Sequence, residues 1–405
     1  MLKHLTNSFF ILNTNLAPTY KKKYGSYWIL WYTTSNSYSV IDNTFKATLD
    51  LYFSSKSLEE FNSKLKDLPL YDAVDYQVLA NTIADYLTNC NTVVPHIENL
   101  DIDIDVSKNN ISKTYAVYKS TICINFDSEL VMQTVHPAIA YLEITSSKTL
   151  KTDVQFDIYL KDSKLYLYKN KQLITCVPKE DYHLLQGKFI THLFCSIYNK
   201  EEKDWIGTFH GSTISDGNSA IMFIGLSGKG KSTLTTLLAA HGLELVSDDV
   251  SPLLAENMEL YNNPSAISIK KGSFEVLKPL IKDFDNLATV NFLKHKGYIK
   301  YVPFSNYTYL HYPCKAIILA NYQPNAKTSL DTANVQDVLE TLIPDSWLFH
   351  NSDYAQKFLD WLSELHFYQL TYSNTDEAID TVKDVFKSFE IANPKNLELL
   401  QNKKS

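Results

Sequence analysis

Residues Gly225–Asp249, GLSGKGKSTLTTLLAAHGLELVSDD, decide how this chain is read. The first eight fit the pattern G-x-x-x-x-G-K-[ST]. AIMFIG (220–225) ahead of them reads as a buried strand, and STLTTLLAAHG behind them reads as a helix closed by Gly242. A strand, a glycine loop and a helix are the setting in which this pattern binds phosphate. The glycines let backbone N–H groups turn toward an anion, and the helix adds its positive end. Lys231 then offsets the β/γ oxygens of a nucleotide, and Ser232 supplies a Mg²⁺ ligand.

The stretch ends on paired carboxylates. Asp248 lies only 17 positions after Lys231, at the end of the next predicted strand, LELVSDD. One helix and one return strand bring the pair back beside the loop. Adjacent strand residues point to opposite faces, so one acid can serve the metal while the other faces an acceptor. The bland alternative is a pair of solvated acids. Upstream, DGN (216–218) is a hairpin-type turn, which puts His210 on the partner strand of AIMFIG, near the loop.

Bulk properties set the frame. The chain has 405 residues, 45% hydrophobic and 20% charged, an ordinary globular composition with room for two or three domains. Its formal net charge of −7 argues against a broad nucleic-acid surface. All 38 basic residues are lysine, so the chain can supply no bidentate guanidinium fork and no arginine finger. Five cysteines, at 90, 123, 176, 195 and 314, form no CxxC pair and read as free thiols of a reducing compartment. The opening MLKHLTNSFFILNTNL is too short and polar for a signal segment, and no apolar run reaches 18 residues. The expectation is a cytoplasmic protein that engages neither membrane nor nucleic acid, with a homo-oligomer left open.

Residues 24–42 alternate and predict a β-hairpin turning near Ser35–Ser37. NTFKATLDLYF follows as a helix. Ser57 and Glu60 have capping-box spacing and open a second helix. A third, over 74–90, carries the stripe Val74, Val78, Leu79, Ile83 and Leu87. The acidic, then Asn/Lys-rich stretch 96–113 reads as a linker. Strands are predicted at YAVYKSTICINF, AIAYLEI, VQFDIYL, KLYLYKN and QLITCV, and a helix at 187–198. Further strands fall at 315–320 and 367–372. Helices fall at ANVQDVLETL, AQKFLDWLSEL and TDEAIDTVKDVF.

His210–Gly211, the loop Gly225–Ser232 and Leu245-Val-Ser-Asp-Asp249 together resemble the HPr kinase/phosphorylase family and its PEP-carboxykinase-like fold. NNPSAISIKKG (262–272) is similar to a stretch of relatives associated with peptide tailoring. The likeness is close over about 205–275 and loose over 115–390. It implies an α/β (α+β) P-loop kinase core with mixed sheets, using ATP and Mg²⁺. The nucleotide would be held by Gly225, Ser227, Gly228, Lys229, Gly230, Lys231, Ser232 and Thr233, and the metal by Ser232 and Asp248. Asp249 would be the base on a serine hydroxyl, supported by His210 and Asp248. The family's downstream arginine is missing. Lys270, Lys271, Lys296 or Lys300 would stand in, with Lys270 and Lys300 favoured. The family's glycine-rich C-terminal signature has no counterpart, which argues against activity on HPr and against phosphorylase activity.

Residues 24–93 resemble a PqqD-like winged-helix domain. That likeness implies an α+β peptide-recognition element that adds a leader peptide as a strand beside the third helix. The expected organisation is therefore a recognition domain over 1–95, a linker over 96–113, a kinase domain over 114–395 and a tail over 396–405. The expected activity is phosphorylation of a Ser, Thr or Tyr hydroxyl on a ribosomally made precursor peptide. The alternatives are a carrier-protein or small-molecule acceptor, or a non-catalytic ATP-binding protein that delivers peptides.

Overall fold

The computed structural model describes residues 14–66, 76–93, 109–145, 151–292 and 297–391. These residues divide into two compact units. One comprises residues 1–96 with 350–363, and the other comprises 97–349 with 364–405.

The first unit opens with three antiparallel strands, β1 (Tyr20–Tyr24), β2 (Tyr27–Tyr32) and β3 (Ser37–Asp42), in the order β1-β2-β3. The expected hairpin is β2–β3. β1, YKKKY, precedes it, and its lysines hid it from the alternation of apolar residues. α1 (Asn43–Ser54), α2 (Leu58–Leu65) and α3 (Tyr76–Cys90) follow. The Ser57 hydroxyl caps α2 by accepting from Glu60 N–H at 3.2 Å. Glu60 closes back on Lys56 N–H rather than on Ser57 itself, so the capping box is offset by one residue. On α3 the buried stripe is Ala80, Ile83 and Leu87, and Val78 is exposed. Val74, the expected start of that stripe, lies outside the described residues, as do residues 96–108 of the expected linker and the tail.

In the second unit, β4 (Ile111–Val117) and β5 (Ser120–Phe126) lead into α4 (Glu129–Ile139). Then come β6 (Val154–Lys161), β7 (Lys164–Lys169), β8 (Gln172–Pro178) and α5 (Tyr182–Ile197). The five strands form one mixed sheet in sequence order, with β5 and β6 parallel. AIAYLEI is not a strand. Ser128 caps α4, and Val131, Val135 and Ile139 bury its face at a spacing of four. Pro137, inside the last turn, masked that helical period.

The chain continues through β9 (Trp205–Phe209), β10 (Ser212–Ser215), β11 (Ala220–Ile224), α6 (Lys231–Ala240) and β12 (Glu244–Ser247). β13 (Ser251–Leu254), β14 (Leu260–Tyr261), β15 (Ile267–Lys270), α7 (Phe274–Leu277), β16 (Thr289–Phe292) and β17 (Gly297–Val302) come next. β18 (His311–Tyr312), β19 (Cys314–Tyr322), β20 (Ser329–Thr332), α8 (Val335–Leu342) and β21 (Trp347–Leu348) follow. α9 (Ser352–Glu364), β22 (His366–Tyr372) and α10 (Thr375–Ile391) complete the described chain.

Three more sheets result: a mixed six-stranded β12-β10-β11-β19-β22-β20, a five-stranded β18-β14-β13-β9-β21 and a three-stranded β15-β17-β16. The six-stranded sheet is parallel at its centre, β11-β19-β22, where β11 reads as an unbroken apolar run, AIMFI, and β19 carries AIILA. Leu234, Leu237 and Leu238 of α6 and Val382 and Phe386 of α10 pack with Phe223, Ile318 and Leu370 in its core.

α9 belongs to the first unit, although it lies between β21 and β22 of the second. Tyr38 meets Phe358 edge to face at 5.4 Å, and Lys22 pairs with Asp360 at 2.6 Å. Among the described residues, no helix is long and apolar enough to cross a membrane.

Candidate functional site

The site is built where β11 hands the chain to α6. Gly230 caps α6 with φ +90°, and a Cβ there would stand 2.8 Å from the Tyr372 hydroxyl, so both the turn and the close approach require glycine. The N–H groups that start α6 open into a cavity of about 750 Å³. Ser227, Gly228, Gly230, Lys231, Ser232 and Thr233 line it from the loop and the first turn. Tyr322, Tyr372 and Val276 line it farther out.

The Lys231 ammonium donates to the Gly225 carbonyl. Burial lowers its pKa, and the charges of Asp249, Asp248 and Asp345 oppose that shift. Lys270, at the end of β15, donates to the Ser227 hydroxyl at 3.1 Å and so faces the loop. The Lys229 side chain turns to Asn321 at 3.2 Å instead of lining the cavity.

Lys300 is placed elsewhere, a correction to its expected role. Expected to stand in for the missing arginine, Lys300 sits within β17. Its buried ammonium donates to the Asp285 carbonyl at 3.3 Å and to the Leu287 carbonyl, between the rings of Phe274 and Phe284. It holds a turn, not a phosphate. Lys271 stands over the Tyr298 ring, 5.5 Å from its centre, and Lys296 lies outside the described residues.

The aspartate pair falls in the link between β12 and β13, where the chain leaves the six-stranded sheet for the five-stranded one. Strand alternation therefore does not separate the two acids. The turn does, because Asp249 takes φ +61°. Asp248 is buried. Its Oδ1 accepts from the Ser212 hydroxyl at 2.6 Å and the Ser232 hydroxyl at 3.2 Å, and its Oδ2 accepts from Ser268 N–H at 3.1 Å. Burial, then the neighbouring charge of Asp249, pushes the Asp248 carboxyl up to about 7.

Asp249 is half-buried and faces two cavities. One is the phosphate-loop cavity. The other holds about 490 Å³ behind it, between α4, α5 and the turn before β21. His210 lies in the two-residue bend between β9 and β10, not on the partner strand, and also faces both cavities. Ser268 is the third residue shared by the two.

A Mg²⁺ ion fits the donor set. The Ser232 hydroxyl and the Asp248 carboxylate already converge, and hard oxygen donors suit this ion. Among the described residues, no group of three or more His, Cys, Asp or Glu side chains could hold a metal. Nucleotide phosphate oxygens would therefore have to complete the shell.

Ser212, Tyr301 and Asp345 were not legible as site residues. Ser212 directly follows His210–Gly211 and could have been found by asking which hydroxyl reaches the acids. Tyr301 arrives on β17 and Asp345 in the turn before β21, and no local pattern marks them.

No protein-family model matches the chain, and no curated protein matches it. Among solved structures, the chain is similar to the HPr(Ser) kinase/phosphatase from Coxiella burnetii at 13% identity and a TM-score of 0.22. The match covers 45% of this chain and 98% of that one.

Proposed function

We propose that the second unit is an ATP- and Mg²⁺-dependent kinase that phosphorylates a hydroxyl group, and that the acceptor is a serine, threonine or tyrosine of a peptide. The observation that carries this reading is the meeting of two cavities at His210, Asp249 and Ser268. The phosphate loop lies on one side and a second chamber on the other. A phosphoryl group must pass between two bound molecules, and the acid that accepts the hydroxyl proton must touch both.

Within this reading, the α6 N-terminus and the loop hold the triphosphate. Lys231 leaves the Gly225 carbonyl for the β/γ oxygens. Ser232 and Asp248 hold Mg²⁺, which offsets phosphate charge when bound. Asp249 takes the acceptor proton, and Lys270 answers charge on the transferred group, where the chain has no arginine to offer. The motif series from His210 to Asp249, which resembles that of HPr kinases, supports the same roles.

The first unit is proposed to hold the peptide's leader. It carries a three-stranded sheet whose outer strands, β1 and β3, each pair on one side only among the described residues, the form that accepts an added strand. The whole reading is tested by transfer from γ-labelled ATP to co-expressed peptides. Wild type should bind ATP and label an acceptor, and Lys231→Ala should do neither. Wild-type ATP affinity and turnover in Lys231→Ala would sink the nucleotide assignment.

A further inference from the structure

The second cavity has a charge pattern that selects its occupant. β21 pairs antiparallel with β9, Trp347 opposite Thr208 and Leu348 opposite Gly207. The bend after β9 carries His210, and the turn before β21 carries Asp345. The two strands lie so close that a Cβ on Gly207 would fall 2.1 Å from the Trp347 carbonyl, so glycine is what lets β21 dock there. The turn that carries Asp345 is thereby brought to the cavity, which Asp345 lines together with Asp248, Asp249, His183 and His210. Among the described residues no lysine lines this chamber, although Lys231 and Lys270 line the phosphate side. Val135, Ala138, Phe189 and Ile190 form its apolar wall. Ser265, also lining it and more than nine-tenths buried, has a hydroxyl with no partner among the described residues. Buried hydroxyls are normally bonded, so this site lacks a polar group.

Resting on the kinase reading, we propose that this cavity is the acceptor site, and that the acceptor carries an ammonium or guanidinium group beside its hydroxyl, with Asp345 as the counter-ion. An anionic neighbour would meet three carboxylates, with the nucleotide's own phosphates just beyond them. A cation meets Asp345, which lines this cavity and not the one that holds the loop. Its aliphatic stem lies along Val135 and Ile190, as basic side chains do on apolar surface. A peptide serine flanked by lysine or arginine has this chemistry, and so does a small amino alcohol.

The test is label transfer from γ-labelled ATP by the full chain, after calorimetry has established that it binds ATP. The acceptors are three equimolar peptide pools with a central serine. The flanking residues are drawn from Lys/Arg, from Asp/Glu or from Ala/Asn/Gln. Ethanolamine and choline are assayed beside them. The basic pool should be labelled about tenfold or more over the acidic pool, since like charges in a closed site are strongly disfavoured. Asp345→Asn should bring that ratio toward one, and Asp345→Lys should reverse it. The ratio is internal to each variant, so a general loss of fold or of ATP affinity does not move it. Labelling of the amino alcohols alone, abolished in Asp345→Lys, supports the same chemistry in a small-molecule source. Equal labelling of acidic and basic pools, a ratio unmoved in Asp345→Lys, or no labelling of any acceptor by ATP-bound protein would overturn the proposal. Failure of wild type to bind ATP would instead overturn the kinase reading on which it rests.

Discussion

Ser232 and Asp248 meet inside the second unit. The hydroxyl that opens the second position of α6 donates to Asp248 Oδ1 at 3.2 Å, although β12 and a helix separate the two in sequence. The contact joins the first turn of α6 to the acid pair, whose two members differ in their surroundings. Asp248 is spoken for by three donors, while Asp249 faces both cavities.

That division predicts the effect of removing the outer acid. Asp249→Asn should keep ATP affinity and lower phosphoryl transfer by roughly 10²–10⁴-fold, the usual scale for loss of a general base. Asparagine tolerates the left-handed backbone at this position, so the fold should be undisturbed. Single-turnover transfer and ATP calorimetry on the same preparation check it. An unchanged rate rejects the base, and a collapse in affinity reassigns Asp249 to the metal.

Asp248 predicts a pH dependence. Its carboxyl is raised to about 7 from the ordinary value of 3.8, so the protonated form dominates in the folded protein below neutrality. A cation needs the ionised form. Mg²⁺ affinity should therefore fall about tenfold per pH unit as pH drops below 7, level off above it, and be accompanied by proton release. The stability effect has the opposite sense. Ionising a buried acid costs folding energy, so the metal-free protein should lose stability as pH rises from about 4 through 7. Asp248→Asn should flatten both curves, read by Mg²⁺ titration and thermal melts between pH 5 and 8.5. A Mg²⁺ affinity that does not change with pH in wild type counts against the assignment.

Lys270 predicts a kinetic signature. Its ammonium already stands 3.1 Å from Ser227 on the loop, and a contact that strengthens as charge builds acts on rate more than on binding. Lys270→Ala should lower kcat much more than it weakens ATP binding. Lys300→Ala should act differently: a buried ammonium bonded to two carbonyls is lost, and stability should fall by about 1–3 kcal/mol with little effect specific to kcat. Equal effects of the two substitutions on kcat and on melting temperature would dismiss the distinction.

The place of α9 predicts how the chain can be cut. Phe358 is fully buried and sits against Tyr38, and Asp360 holds Lys22. A chain beginning after residue 96 keeps α9 but loses the sheet that covers Phe358. It should aggregate or bind a hydrophobic dye, and Phe358→Ser should relieve this. In the full chain Phe358→Ala should cost about 3–5 kcal/mol, measured by denaturant unfolding. A soluble, monomeric truncation with a sharp melting transition would show that α9 does not need the first unit.

Local physics made much of this protein legible from sequence alone. A glycine loop between an apolar strand and a helix was legible as a turn, because glycine takes the φ of +90° that Gly230 adopts and leaves room for the Tyr372 hydroxyl. The helices α1, α2, α6, α8, α9 and α10 followed from caps and apolar stripes, and the central strands β11 and β19 from the apolar runs AIMFI and AIILA. Where two local rules competed, the reading failed: alternation at 138–144 imitated a strand while Pro137 masked the helical period of α4. Other features were set only by long-range packing. Which lysine faces the loop depends on the sheet around β17, which turned Lys300 toward a backbone turn and left Lys270 in place. That Asp345 and His210 line one cavity depends on the pairing of β21 with β9, a contact spanning about 140 positions, which no local pattern records. Sequence spacing fixes which residues can share a turn. Which side chains share a cavity is decided by register and by which sheet each strand joins, and those depend on the whole packed chain.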